Sequence, residues 1–169
     1  MFFVTAKTLL CEQENTYPYT NGRTHDVAIV ANINRKCGSK DILFHLGNFS
    51  SLTSTDPDAW DKGLAQVKYL KPKVILIMGS NENNIVCKHF GGLFECFRLH
   101  CKLLGFMDVV QSIDRHYSDK MFKMTHHRCE CNNSINLCAG GPTDLHHYNV
   151  SVKQDNLYPY YIEEIYSVL

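Results

Sequence analysis

The chain has no surplus of charge of either sign. Seventeen lysines and arginines balance seventeen aspartates and glutamates, and the pI is near 7.1. Such a chain builds no field that would gather nucleic acid or anionic lipid, so a polyanion partner is not expected. It also lacks an apolar run near the roughly 20 residues that a bilayer span needs. The opening "MFFVTAKTLL" has neither a basic segment nor a small-residue cleavage site, so no membrane partner and a cytoplasmic location are expected. No internal repeat, low-complexity segment or linker stands out, and 169 residues suit one domain spanning 1–169.

What the chain has in quantity is cysteine. Eight are scattered at 11, 37, 87, 96, 101, 129, 131 and 138, several of them inside apolar periodic segments. That distribution favours reduced, buried thiols over a disulfide framework. Cys129, Cys131 and Cys138 stand closer together than the others.

Apolar patterning divides the chain into two halves. "FFVT", "DILFHLG" and "KVILIM" read as interior strands, the last two ending at glycine turns. Between them Thr24 can cap a helix with Val27, Val30, Ala31 and Asn34 at helical spacing, ending near Cys37-Gly38. A second helix is announced by Thr55 or Asp56 as cap, Pro57 at the first helical position, and Trp60, Leu64 and Val67 on one face. From Asn83 to Leu104 the pattern is helical, broken at Gly91-Gly92, with Leu93, Phe97, Cys101 and Leu104 on a stripe. Strands that alternate with helices predict a largely parallel sheet. Beyond "LGFMDVV", the segments "VVQSIDRHY", "KMFKMTHH", "SINLC" and "HHYNVSV" predict short strands joined antiparallel by hairpins, and a last helix is expected from Tyr161 to Val168.

In this order, "MFFVTAKTLL", "DILFHLGNFS", "KVILIMGSNEN" and "KMTHHRCECNNSINLCAG", running on to "HHYNVSV" and "PYYIEEI", resemble the calcineurin-like metallophosphoesterases, in particular the small single-domain phage and bacterial members. The resemblance implies an α/β fold, a two-sheet β-sandwich flanked by helices in four layers, α/β/β/α. It also implies a two-metal site at the strand ends, built from Asp-x-His, Gly-Asp, Gly-Asn-His-Asp/Glu, a later His, and His-Gly-His. Carboxylates and imidazoles there hold two cations whose bridging hydroxide attacks phosphorus.

The motif positions of this chain depart from that pattern. Lys7-Thr8-Leu9 stands for Asp-x-His, Asn48 for the bridging Asp after Gly47, and Ser80-Asn81 for Asn-His, although Gly79 and Glu82 keep the family's shape. His126 matches a retained ligand, whereas Cys138-Ala139-Gly140 replaces His-Gly-His. An amide in place of the bridging carboxylate removes the charge that lets two dications sit close. An ammonium about 4 Å from a cation repels it by roughly 1 kcal/mol even in water. Leu9 and Gly140 offer no ligand atom. The expectation is therefore no di-metal centre, no cofactor and no phosphodiester hydrolysis of the family type.

Three further expectations concern individual residues. Lys7 either pairs with Glu82 or hydrogen-bonds to Asn48, or it points to solvent. Asn48, Ser80 and Asn81 suit hydrogen bonds to turn backbone. His126, His127, Cys129, Cys131 and Cys138 form the cluster that could surround a tetrahedral zinc, set against free thiols and a core histidine. Exposed tyrosine and arginine favour interfaces, so Tyr17, Tyr19, Arg23, Tyr158, Tyr160 and Tyr161 are candidates for contact with another protein, against packing of the tail on its own sheet. The leading expectation is a catalytically dead phosphoesterase-like scaffold that binds a protein, such as a phage-encoded inhibitor of a host enzyme or defence system. The alternative is a phosphohydrolase or nucleotide binder with a rearranged site around Glu82, His126 and Cys138.

Overall fold

The computed structural model describes residues 1–6, 22–50, 58–127, 129, 134–139, 147–150 and 159–167, without the side chains of 22–25 and 147–149. The elements run β1 (Phe2–Thr5), α1 (Gly22–Lys36), β2 (Ile42–His45), α2 (Ala59–Leu64) with a 3-10 turn (Ala65–Tyr69), β3 (Lys73–Ile77), α3 (Ser80–His89), α4 (Phe94–Leu104), β4 (Asp108–Val110), β5 (Ile113–Tyr117), β6 (Lys120–Met124), β7 (Ile135–Cys138), β8 (His147–Asn149), β9 (Tyr160–Tyr161) and α5 (Ile162–Tyr166). Two sheets result, one ordered β4-β3-β2-β1-β9 and the other β5-β6-β7-β8.

The first sheet is parallel from β1 to β4, with β9 antiparallel at the β1 edge. Its strands read as continuous apolar runs because both faces are covered. Phe3, Leu43, Val74, Leu76, Met78 and Val109 turn to one side, where they meet Ile29, Ile33 and Cys37 of α1, Leu64, Val67 and Leu70, Val86 of α3, and Phe97 and Cys101 of α4. Their neighbours Val4, Phe44, Leu46, Ile75 and Ile77 turn to the other side, against Phe122, Met124 and Leu137 of the second sheet, Val150 just beyond β8, and Ile162 and Ile165 of α5. The period-two alternation thus sorts one sheet between two cores, and the described layers are helices, sheet and sheet.

Several expectations are corrected. In α1 the buried stripe is Ile29, Ile33 and Cys37, four residues apart, while Val27 is exposed. Asn34 does not pack but clamps a turn: its Nδ2 donates to the Tyr69 carbonyl at 2.7 Å and its Oδ1 accepts from the Lys71 amide at 2.7 Å. The helix α3 starts at Ser80 rather than Asn83, so the polar stretch after β3 is a helical first turn. The second sheet is not a run of hairpins. Only β5 and β6 pair antiparallel, whereas β6-β7 and β7-β8 are parallel. The connections from β6 to β7 and from β7 to β8, read from the sequence as hairpin turns, therefore join parallel neighbours. Residues 55–57, the expected cap of α2, lie outside the described residues.

The described cysteines form no disulfide. Burial, with help from Asp41, pushes the Cys37 thiol up to about 12, and burial likewise raises Cys101. Both are packing residues, as their positions in the apolar periodicity implied.

Candidate functional site

The carboxyl ends of β2 and β3 meet at two glycines. After His45 the chain turns through Gly47 (φ 81°) and Asn48 (φ 51°), a left-handed pair that glycine adopts at no steric cost and asparagine at little. A Cβ on Gly47 would stand 2.6 Å from His126 Nδ1 and 2.7 Å from the Gly79 backbone. One on Gly79 would stand 2.5 Å from the Asn48 nitrogen and 2.8 Å from Glu82 Oε2. The two turns touch backbone to backbone, which requires glycine at both.

Glu82 fastens them together. It is 1% exposed, and its Oε2 accepts the amides of Asn48 at 2.8 Å and Gly79 at 2.9 Å, while Oε1 accepts Phe49 at 2.7 Å. Burial pushes its pKa up, and the amide donors Phe49, Asn48 and Gly79 pull it back. As the third residue of α3, the carboxylate also answers the orphan amides at the helix start. The asparagines add a second pair of ties. Asn48 Oδ1 accepts the Asn81 amide at 3.0 Å, and Asn81 Nδ2 donates to the Ser50 carbonyl at 2.8 Å.

The second sheet reaches this point through the end of β6. His126 is buried, and its Nδ1 lies 2.5 Å from the Leu46 carbonyl; a carbonyl only accepts, so Nδ1 carries the proton. Its ring meets that of His127 edge-on at 4.4 Å, and the exposed His127 Nε2 lies 3.4 Å from Ser80 Oγ. Asn136, fully buried in β7, donates to Thr125 Oγ1 at 2.7 Å and to the Lys123 carbonyl at 3.1 Å, and accepts the Cys129 amide at 3.1 Å. Thr125 Oγ1 in turn donates to the His127 carbonyl at 2.6 Å. This network shapes the chain around the two histidines. Asn136 escaped the sequence reading, yet a polar residue inside the apolar run "INLC" was its signal.

The structure therefore brings Asn48, Ser80, Asn81, Glu82 and His126 together. Their roles differ from ligation: four of the five bind backbone across the junction, and Ser80 faces His127. Cys138 is fully buried at the end of β7, and the Ala139 amide donates to the His126 carbonyl at 3.0 Å. Lys7, Leu9, Cys131 and Gly140 lie outside the described residues, so the pairing of Lys7 with Glu82 is not described; both carboxylate oxygens already have amide partners. Among the described residues no three His, Cys, Asp or Glu side chains are grouped so as to hold a metal ion.

The expected partner surface is split as well. Tyr160 and Tyr161 are half-buried on opposite faces of β9, Tyr161 with its ring 5.3 Å from that of Phe3 and Tyr160 against the inter-sheet core. They cover their own sheet. Tyr17, Tyr19, Tyr158 and the side chain of Arg23 lie outside the described residues. No helix of the described residues is long and apolar enough to cross a membrane.

No family model matches the chain, and no curated protein does. A solved structure is similar, that of AQ665 from Aquifex aeolicus, a protein of unknown function. It aligns over 100% of this chain and 99% of the other at a TM-score of 0.66 and 14% identity. The likeness is one of fold. It spans both sheets and all the helices named above, and at that identity it carries no chemistry across.

Proposed function

We propose that the chain is a catalytically inactive metallophosphoesterase-like scaffold that works by binding another protein. The observation that carries this reading is the state of Glu82. In a working metal site an acidic side chain at a strand end turns an oxygen lone pair toward a cation, whereas here both oxygens accept main-chain amides from the two turns. The polar groups at the junction act as a clasp. The four-layer arrangement belongs to the same proposal: helices, sheet and sheet would be completed by an outer helical layer on the β5-β6-β7-β8 face.

A rearranged hydrolase around Glu82, His126 and Cys138 would have to uncover Glu82, which is 1% exposed, and turning its carboxylate toward a ligand would pull it from the amides that hold it. Each such amide, left buried without an acceptor, costs about 1–3 kcal/mol. The decisive experiment is a phosphodiesterase assay with bis-nitrophenyl phosphate in millimolar Mn²⁺ or Ni²⁺. The expected outcome is no turnover above that of the metal alone. Clear turnover that disappears in His126→Ala would overturn the reading. Chelator treatment should leave the melting temperature unchanged; a fall would favour the zinc cluster of His126, Cys129, Cys131 and Cys138 instead.

A further inference from the structure

The helix α4 carries apolar residues on two opposite sides. Of the expected stripe, Phe97 and Cys101 are buried in the core and Leu104 packs partly against it, whereas Leu93 is not on the buried side. On the far side Cys96, Leu99 and Leu103 fall at heptad spacing and face solvent, with Leu99 62% and Leu103 85% exposed. Leu93 before the helix and Met107 after it are exposed as well. An exposed apolar stripe of this kind commonly marks a contact surface, and in the described structure nothing covers it.

The charges beside the stripe say what fits it. Glu95 and Lys102 lie along one border of the exposed face, at its two ends, with side chains 69% and 40% exposed. Within the chain Glu95 lies 3.3 Å from Arg98 and Lys102 lies 3.3 Å from Asp108, both at the surface; Glu95 and Lys102 themselves, seven residues or about 10 Å apart along the axis, do not reach each other. A second copy of α4 laid antiparallel, with the twofold axis passing between Arg98 and Leu99, brings Glu95 of each helix level with Lys102 of the other. In the same register Leu99 meets Leu99 across the axis. Leu103 then falls between Leu93 and Cys96 of the second copy. One register satisfies both the apolar ladder and the charges, which is the self-complementarity that an isologous twofold contact demands. We propose that the Cys96–Leu99–Leu103 face of α4 is the contact through which two copies of this chain associate antiparallel. The proposal goes beyond the scaffold reading and does not depend on it, because it uses no residue of the glycine junction.

The test is the mass of the full chain in solution by sedimentation equilibrium from micromolar to several hundred micromolar. The expected result is a concentration-dependent monomer–dimer equilibrium that Leu99→Glu weakens by about tenfold or more, since an apolar group central to a small contact carries much of its affinity. Glu95→Lys and Lys102→Glu should each weaken association, and the double variant should restore it. Restoration cannot come from within one helix, because the two side chains do not reach each other there. Circular dichroism melts in the monomeric range verify that each variant folds; a variant that fails is replaced by Leu103→Gln. A strict monomer across the range overturns the proposal and leaves the face to a different protein. Failure of the double variant to restore a dimer overturns the antiparallel register.

Discussion

Glu82 is the residue on which the junction depends. Truncating it to alanine would leave the amides of Asn48, Phe49 and Gly79 buried and unpaired. The expected cost is about 3–5 kcal/mol, read as a lower urea midpoint at an unchanged slope. The glycines separate space from backbone strain. At Gly79 a methyl group collides with backbone, so Gly79→Ala must part the two turns, and a loss of about 3 kcal/mol is expected. At Gly91 (φ 58°) nothing lies within 4 Å of an added Cβ, so Gly91→Ala should cost only the left-handed penalty of about 1–2 kcal/mol. The same urea titration compares the pair. That Gly47, Gly79 and Glu82 matter was legible from "HLGNF" and "IMGSNE". What they do was not. A carboxylate after a glycine reads the same whether its oxygens face a cation or main-chain amides, and only the three-dimensional approach of the two turns distinguishes these.

Among the elements, α4 is held to the edge strand β4 by charge. Arg98 Nε and Nη2 donate to the two oxygens of Asp108 at 2.7 and 2.9 Å, and Lys102 adds a contact at 3.3 Å. The Arg98 hydrogen bonds hold the Asp108 carboxyl at about 2, below its ordinary 3.8. A depressed acid stabilises the fold fully above the ordinary value and loses that contribution as pH falls through the folded one. The stability of the wild type should therefore decline between about pH 4 and pH 2 more steeply than that of Asp108→Asn, as thermal melts at matched pH would show. At this scale the parallel half was readable, because strands buried on both faces and helices between them leave long apolar runs with clear punctuation. The second sheet was not, since a hairpin and a crossover of polar residues look alike until the strand that each reaches is known. In α1 the stripe was misplaced because Val27, Val30, Ala31 and Asn34 fall at helical spacing just as Ile29, Ile33 and Cys37 do, and only the sheet settles which of the two is inside.

For the molecule as a whole, the inter-sheet core is shared by strands from both halves of the chain, Phe44, Leu46 and Ile77 meeting Phe122, Met124 and Leu137. Phe122→Ala should cost about 3–5 kcal/mol, and far- and near-ultraviolet dichroism should report the same midpoint, because neither sheet keeps its covered face without the other. Departure of the two probes would mean that the sheets unfold separately. The pairing of β9 beside β1, with Phe3 opposite Tyr161, bears on synthesis at the ribosome. The strand β1 emerges long before β9 and gains that outer neighbour only when Tyr160 and Tyr161 have been made. Until then its open edge and the apolar side chains beside it are exposed to other nascent chains. A translation intermediate arrested before Tyr160 should therefore be bound by chaperones and cut by protease at sites that the finished chain protects.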